Sequence, residues 1–204
     1  SAPAVLPATA DLPPMVVTGR RHDQRLLEAD RTLHRLDKER LTVQQPQGMA
    51  EALQETAGVH VQQTNRGAGA PFLRGLVGPQ NLLLVDGLRF SNSTFRTGPN
   101  QYLNLLDPVQ ADRVEVLLGP GSVLYGSDAL GGAVHVLPAG WRQDGRQARG
   151  GVRYGSADTS WAVWGEDGWR GQDASVLAGG AWRDYGTLRV GGGGEAPASD
   201  YRQG

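Results

Sequence analysis

The sequence predicts an α+β domain built around a small mixed sheet, followed by a set of longer antiparallel strands. Three observations lead there. Helical and strand-like segments are interspersed between residues 28 and 138 rather than segregated. Residues 111–138 hold two apolar strands joined by a glycine-punctuated connection. Val114, Val116 and Leu118 alternate, Gly119-Pro120-Gly121 breaks the strand, Ser122–Tyr125 is a short helical or turn segment, and Gly131-Gly132 precedes the strand Ala133–Leu137. From Ala139 the pattern becomes alternating segments separated by Gly, Asp and Ser turns.

Taken in order, residues 1–14 are rich in Ala and Pro and should be extended. Met15-Val16-Val17-Thr18 is a β-prone island ahead of the charged stretch Arg20–Arg25. Residues 28–43 are of mixed helical or strand character, with Leu33, Leu36 and Leu41 as core contacts. Gln47–Thr56 predicts a helix with Met49, Ala52, Leu53 and Thr56 on one face and Gly58 at its end. Val59 and Val61 alternate as a strand, Gln63–Ala70 is a polar loop, and Phe72–Gly75 is a second strand. Asn81–Val85, Asp86-Gly87 and Leu88–Phe90 form strand, turn and strand, since Asp-Gly between apolar runs is a strong hairpin signal. Ser91–Gln101 is another long polar loop, and Leu103–Asp107 leads through Pro108 into the glycine-rich stretch.

The last third contains Arg149–Tyr154, Ser160–Glu166 and Ala174–Tyr185 as alternating segments. Trp161 and Val163, then Val176, Ala178 and Gly180, fall on alternate positions, with Trp164, Trp169, Trp182 and Tyr185 close by. Period-two strands with aromatics near their ends suit either an ordinary hairpin pair in a soluble sheet, which the residues alone favour, or the strands of an outer-membrane barrel. A membrane strand needs about 9–11 residues, so residues 139–204 hold about three. Three strands cannot close, and open edges are forbidden in lipid. On the barrel reading the chain is therefore expected to be a fragment, a truncated product, or a piece whose barrel is completed by another polypeptide.

Composition narrows the function classes. With 204 residues, net charge −1 and 20 % charged residues, the chain lacks the basic excess of a general nucleic-acid binder. Lys38 is the only lysine. The absence of cysteine excludes disulfides and thiolate metal sites and fits an oxidising envelope compartment. No run of about 18 apolar residues offers a membrane-spanning helix, and the Ser-Ala-Pro-Ala start reads as a mature terminus. The glycine-rich stretch lacks the Gly-Lys-Ser/Thr ending of a phosphate loop. His22, His34, His60 and His135 are scattered, no Gly-x-Ser-x-Gly elbow occurs, and Asp112 and Glu115 point to opposite sides of a strand. No enzyme activity, cofactor or metal is expected.

Residues 111–138 closely resemble the end of the plug domain of TonB-dependent outer-membrane receptors. Asp112-Arg113-Val114-Glu115-Val116, Gly119-Pro120, Ser122, Leu124-Tyr125-Gly126, Ala129 and Gly131-Gly132 all fit that pattern, while Leu118 stands where the family has arginine. Leu73-Arg74-Gly75, Asp86-Gly87-Leu88-Arg89 and Glu51–Val61 match further plug segments, with Ala57 in place of a proline. The resemblance covers about residues 13–138. It implies a flexible segment 1–27, a plug domain 28–138 and the first transmembrane barrel strands in 139–204.

Within that frame Pro14, Met15, Val16, Val17 and Thr18 would be the peptide that pairs, by strand addition, with a TonB-type energy-transducing protein. Arg74, Gly75, Glu115, Gly119 and Pro120 would contact the barrel, with Arg74 reaching glutamates on its inner wall; Leu118 removes the other half of that lock. The loops Gln63–Ala70, Gly78–Gln80 and Ser91–Gln101 would face the ligand, through Asn65, Arg66, Gln80, Phe95, Arg96 and Tyr102. The implied function is active uptake of a scarce nutrient (iron-siderophore, haem or a similar small molecule), gated by the plug. The setting would be the bacterial outer membrane, with lipid around the strands and the plug and N-terminus facing the periplasm. The alternative is a plug-like interaction module that docks into a separate barrel, or binds the energy-transducing partner, without transporting. A reading frame that continues past Gly204 in alternating strands would exclude the alternative.

Overall fold

The computed structural model describes residues 15–16, 24–25, 32–65, 68–90, 98, 102–138, 144–156, 158–187, 189–190, 194–195 and 200–203. Strand β1 (Met15–Val16) pairs antiparallel with β2 (Gln24–Arg25). The segment of mixed character divides into β3 (Thr32–Asp37) and α1 (Lys38–Gln44), and buries Leu33, Leu36 and Leu41 as expected. Helix α1 ends at Gln45, whose left-handed backbone (φ 45°) lets its N–H reach the Leu41 carbonyl at 3.0 Å.

Helix α2 (Met49–Ala52) is shorter than the predicted Gln47–Thr56. The N–H groups of Leu53, Gln54 and Thr56 bond three residues back, to Ala50, Glu51 and Leu53, so the chain tightens into successive turns. The expected loop Gln63–Ala70 is also corrected. Strands β4 (Val59–Asn65) and β5 (Ala68–Leu73) carry the pairing through Gln62↔Ala70 and Gln63↔Gly69. The polar side chains there mark the solvated face of a hairpin; the backbone is still paired. Arg74 and Gly75, expected on a strand, form a turn with φ 51° and 83°.

The predicted hairpin is present as β6 (Asn81–Val85) and β7 (Leu88–Arg89). Asp86 and Gly87 have φ 49° and 78°, as a type I′ turn requires. Strand β8 (Ala111–Leu118), helix α3 (Ser122–Tyr125) and strand β9 (Gly132–Pro138) complete this half. The sheet order is β3-β8-β9-β6-β7, with β6 and β9 parallel and every other neighbour antiparallel, which is the mixed sheet expected.

The sheet is covered on both faces. One face packs Leu36, Val114, Val116, Val134 and Val136 against Leu41, Met49, Leu53, Leu73 and Leu103. The other packs Leu33, Leu82, Leu84, Leu117 and Ala133 against Tyr125 and Ala129. The glycine-rich connection closes this second layer by backbone bonds: Gly119 N–H to the Gly131 carbonyl at 2.9 Å, Gly121 N–H to Ala129 at 2.7 Å and Gly131 N–H to Gln80 at 3.0 Å. A Cβ at Gly131 would stand 2.2 Å from the Asn81 side-chain oxygen, and one at Gly132 would stand 2.1 Å from the Leu117 carbonyl oxygen. Both positions exclude a side chain because another segment passes through that space.

His135 is buried on β9 and accepts a hydrogen bond at Nε2 from the Gly87 N–H at 2.8 Å. Burial holds its pKa below the ordinary 6.5, and Arg113 adds to this, while Glu115 and Asp86 oppose it. The folded state therefore binds fewer protons than the unfolded one. This contribution to stability is complete above about pH 6.5 and is lost as pH falls below it. In His135→Gln, which keeps an acceptor without an imidazole, the loss of stability between pH 7 and pH 5 should shrink, measured by chemical denaturation at each pH. An unchanged slope would remove His135 as its source.

After the plug-like sheet come β10 (Gly145–Gly155), β11 (Ser160–Arg170) and β12 (Ser175–Tyr185), each of 11 residues and antiparallel in sequence order. Strands β13 (Arg189–Val190) and β14 (Gly194–Glu195) pair with each other, and β15 (Tyr201–Gln203) extends the wall beside β12. No closed barrel forms among the described residues.

Candidate functional site

The three long strands are inverted relative to a soluble sheet. Val152, Tyr154, Trp161, Val163, Trp169, Val176 and Trp182 point away from the plug and are exposed. Arg149, Arg153, Glu166, Arg183 and Tyr185 lie on the opposite face, toward it. Because successive side chains alternate, one wall carries an apolar outer face and a polar inner one. The outer face also carries Asp167, to which Arg146 donates through Nε at 3.1 and 3.2 Å.

The inner face grips the plug along one seam. Arg183 pairs with Asp107, and their side chains are 6 % and 11 % exposed. Asp107 is preset for this role, since its Oδ1 also accepts the Val109 N–H at 2.8 Å, at the start of the short turn Pro108–Gln110. Arg153 donates to the carbonyl of Gln45, and the Tyr185 hydroxyl donates to the carbonyl of Gln47 at 3.1 Å. Gln47 in turn reaches Asp158 in the β10–β11 connection at 3.5 Å. Arg149 and Glu166 face each other across β10 and β11 and form an ion pair.

Lys38 lies beside this pair and donates to the carbonyls of Val109 and, at 3.1 Å, of Ala111. Burial lowers its pKa and Arg149 lowers it further, against the pull of Glu166, Asp112 and Asp107. Its two carbonyl bonds tie the start of α1 to the start of β8.

Several of the contact residues singled out by sequence come together elsewhere on the plug. The Arg74 guanidinium lies over Gly119, where a Cβ would stand 3.1 Å from its Nη1. Arg74 is exposed; its N–H donates to the Gly58 carbonyl at 3.3 Å, while its guanidinium has no hydrogen-bond or ion-pair partner among the described residues. Gly75 shares its turn, and Pro120 follows Gly119 on the exposed side. Glu115 is placed differently. It is fully buried on β8 and accepts from Arg113 Nε at 3.0 Å. Arg89 ties two sequence motifs together, bonding the Tyr125 carbonyl and pairing with Asp128 at 2.6 Å.

Of the ligand-facing candidates, Gln80 is exposed and its carbonyl accepts the Gly131 N–H. Tyr102 is 37 % exposed and opens the turn Tyr102–Leu105. Two of the three candidate loops meet, because a Cβ at Gly78 would stand 2.1 Å from the Gly98 carbonyl oxygen. Asn65 ends β4, and Arg66, Phe95 and Arg96 lie outside the described residues. In the N-terminal peptide, Met15 and Val16 form β1, and Pro14, Val17 and Thr18 lie outside the described residues.

Sequence reasoning did not assign a plug–wall contact to Asp107, Arg153, Arg183 or Tyr185, although it placed Tyr185 among the aromatics of the long strands. A signal was present for three of them. Arg149, Arg153, Arg183 and Tyr185 keep the period of two, out of phase with the apolar residues of their own strands. Their partners Gln45 and Gln47 contribute only main-chain oxygen, which leaves no mark on the sequence.

The chain matches the family described as TonB-dependent Receptor Plug Domain over residues 25–133. It is 35 % identical over 126 residues to the vitamin B12 transporter BtuB of Vibrio vulnificus, covering 60 % of this chain and 20 % of that protein. It is 34 % identical over 144 residues to the iron-regulated outer membrane virulence protein of Vibrio cholerae, covering 68 % and 21 %. The chain thus spans about a fifth of the length of these curated relatives. Among solved structures it is similar to the FpvAI–pyocin S2 complex (TM-score 0.70, 18 % identity, 85 % of this chain and 23 % of that one). It is also similar to the alcaligin outer membrane receptor FauA from Bordetella pertussis (TM-score 0.67, 15 % identity, 84 % and 29 %). The match to the family spans more than half of the chain and runs from β2 through β8 and the glycine-rich connection to the start of β9: the chain belongs to the TonB-dependent receptor plug domain family.

Proposed function

We propose that the chain is the plug-bearing part of a bacterial outer-membrane receptor that takes up a scarce small molecule, with the plug gating a barrel begun by β10–β12. The observation that carries this reading is the inverted wall. Strands of membrane-spanning length turn Trp, Tyr and Val outward and use Arg153, Arg183 and Tyr185 to hold a plug on the inside. Such a face suits lipid, and the polar interior suits a solvated lumen. Relatives named for vitamin B12 and for iron regulation support a metal chelate or cobalamin-like cargo, with siderophore or haem in the same class.

In this reading the coupling peptide is Pro14–Thr18, and a TonB-type partner binds it by adding a strand. The extended backbone of Met15–Val16, already paired with Gln24–Arg25, favours that mode. Force on the peptide then reaches β3, an edge strand of the sheet, and α1, whose end is bonded by Arg153 of the wall. Withdrawing them would open the seam. The Arg74 guanidinium, without a hydrogen-bond or ion-pair partner among the described residues, is available to a glutamate on further wall strands. The plug and N-terminus face the periplasm.

The coupling step is testable with a synthetic peptide of residues 11–21 titrated against the periplasmic domain of the energy-transducing partner. Saturable binding should be lost in Val16→Pro, which removes a main-chain donor and blocks strand pairing. Undetectable binding at millimolar concentration, or equal binding by the proline variant, would overturn it.

A further inference from the structure

A cavity of about 240 Å³ lies in the seam between α1 and the inner face of β10–β12. Lys38, Arg153 and Arg183 line it, and no carboxylate does among the described residues. The rest of its surface is largely apolar, from Leu41, Pro46 and the ring of Trp164. Trp164 stands opposite Gly151 on β10, and a Cβ there would come within 2.7 Å of its Nε1, so the indole lies against bare backbone. Arg183 is neutralised by Asp107; Lys38 donates to two carbonyls and feels Glu166, Asp112 and Asp107 from outside the lining; Arg153 spends its bond on an uncharged carbonyl. The space therefore combines a net positive rim with an apolar, aromatic floor.

We propose that this cavity is a binding site for a small organic anion, a carboxylate joined to about one aromatic ring. The carboxylate faces Lys38 and Arg153, whose remaining N–H groups give charge-assisted hydrogen bonds. The ring packs on Trp164 and Leu41. The volume sets the size class, since drug-sized ligands occupy sites of about 300–1,000 Å³. A neutral analogue of the same shape gains the apolar contact without the ionic one. The site stands apart from the candidate ligand loops and does not depend on coupling to an energy-transducing partner.

The test uses the full chain in detergent micelles, with 4-fluorobenzoate as the probe and 4-fluorobenzamide as its neutral counterpart, followed by ¹⁹F NMR. The benzoate should bind saturably and at least about tenfold more tightly than the amide. Arg153→Gln should weaken it about tenfold. Since Arg153 also holds the Gln45 carbonyl, a second variant guards against misfolding. Thr42→Phe fills the cavity and removes only the hydroxyl bond to the Lys38 carbonyl; it should abolish saturable binding while the circular dichroism of the chain is retained. Equal affinity for acid and amide, or binding unchanged in Thr42→Phe, would overturn the proposal. Non-saturable uptake alike in wild type and both variants is partition into the micelle and would overturn it too.

Discussion

Gly132→Val is expected to destabilise the plug by about 3 kcal/mol or more, at the upper end of what a single substitution does. The new Cβ would start 2.1 Å from the Leu117 carbonyl oxygen, inside the β8–β9 pair. Neither partner has room to yield, because the obstacle is backbone and Leu117 and Ala133 beside it are fully buried. Gly87→Ala is the control. Gly87 also has a positive φ, 78°, yet nothing stands within 4 Å of its missing Cβ, and the N–H that His135 accepts is retained. That variant should lose only about 1 kcal/mol, the strain of a left-handed alanine. Denaturant unfolding of the full chain in detergent compares the two, and hydrogen exchange at β8 and β9 localises the loss. Similar small losses for both would mean that the close passage of Leu117 does not constrain residue 132.

Arg183→Met ranks next, with an expected loss of about 3 kcal/mol. The reason is what it leaves behind. Asp107, with its side chain 11 % exposed, would keep a negative charge in the seam without its cation. Its bond from the Val109 N–H compensates only in part. Asp107→Asn in the same chain should recover most of the loss, because an amide oxygen still caps Val109 while the stranded charge is gone. Protection from exchange should fall first at residues 45–48 and 102–110, where the plug meets the wall. If the double variant is no more stable than Arg183→Met alone, the cost lies in packing of the arginine stem and the ionic account is wrong.

The parts of the fold that could be read in advance were those where local chemistry admits one solution. Asp86-Gly87 demanded positive φ at both positions and placed the β6–β7 turn. Leu33, Leu36 and Leu41 had no partner except a core. Gly131-Gly132 marked a close approach before the approaching atoms, the Asn81 amide and the Leu117 carbonyl, could be named. What misled was polarity taken as a sign of irregular backbone. Gln63 is solvated yet paired with Gly69, and Asn65 is paired with Ala68. Arg74 was placed on a strand because nothing in an arginine announces a left-handed turn. The seam was least legible of all, since Asp107 and Arg183 lie 76 residues apart and neither belongs to a local pattern that requires the other.

Two of the clamps across that seam land on the peptide carbonyls of Gln45 and Gln47, which every amino acid possesses. The wall must supply a particular guanidinium and a particular phenol, but the plug need only present its chain at the right height. Substitution at Gln45 or Gln47 keeps these two clamps wherever the left-handed turn at residue 45 is preserved, whereas loss of the guanidinium or the phenol removes a clamp outright. A stopper of this design could exchange most of its surface residues, adapting its loops to new cargoes, without loosening its seat.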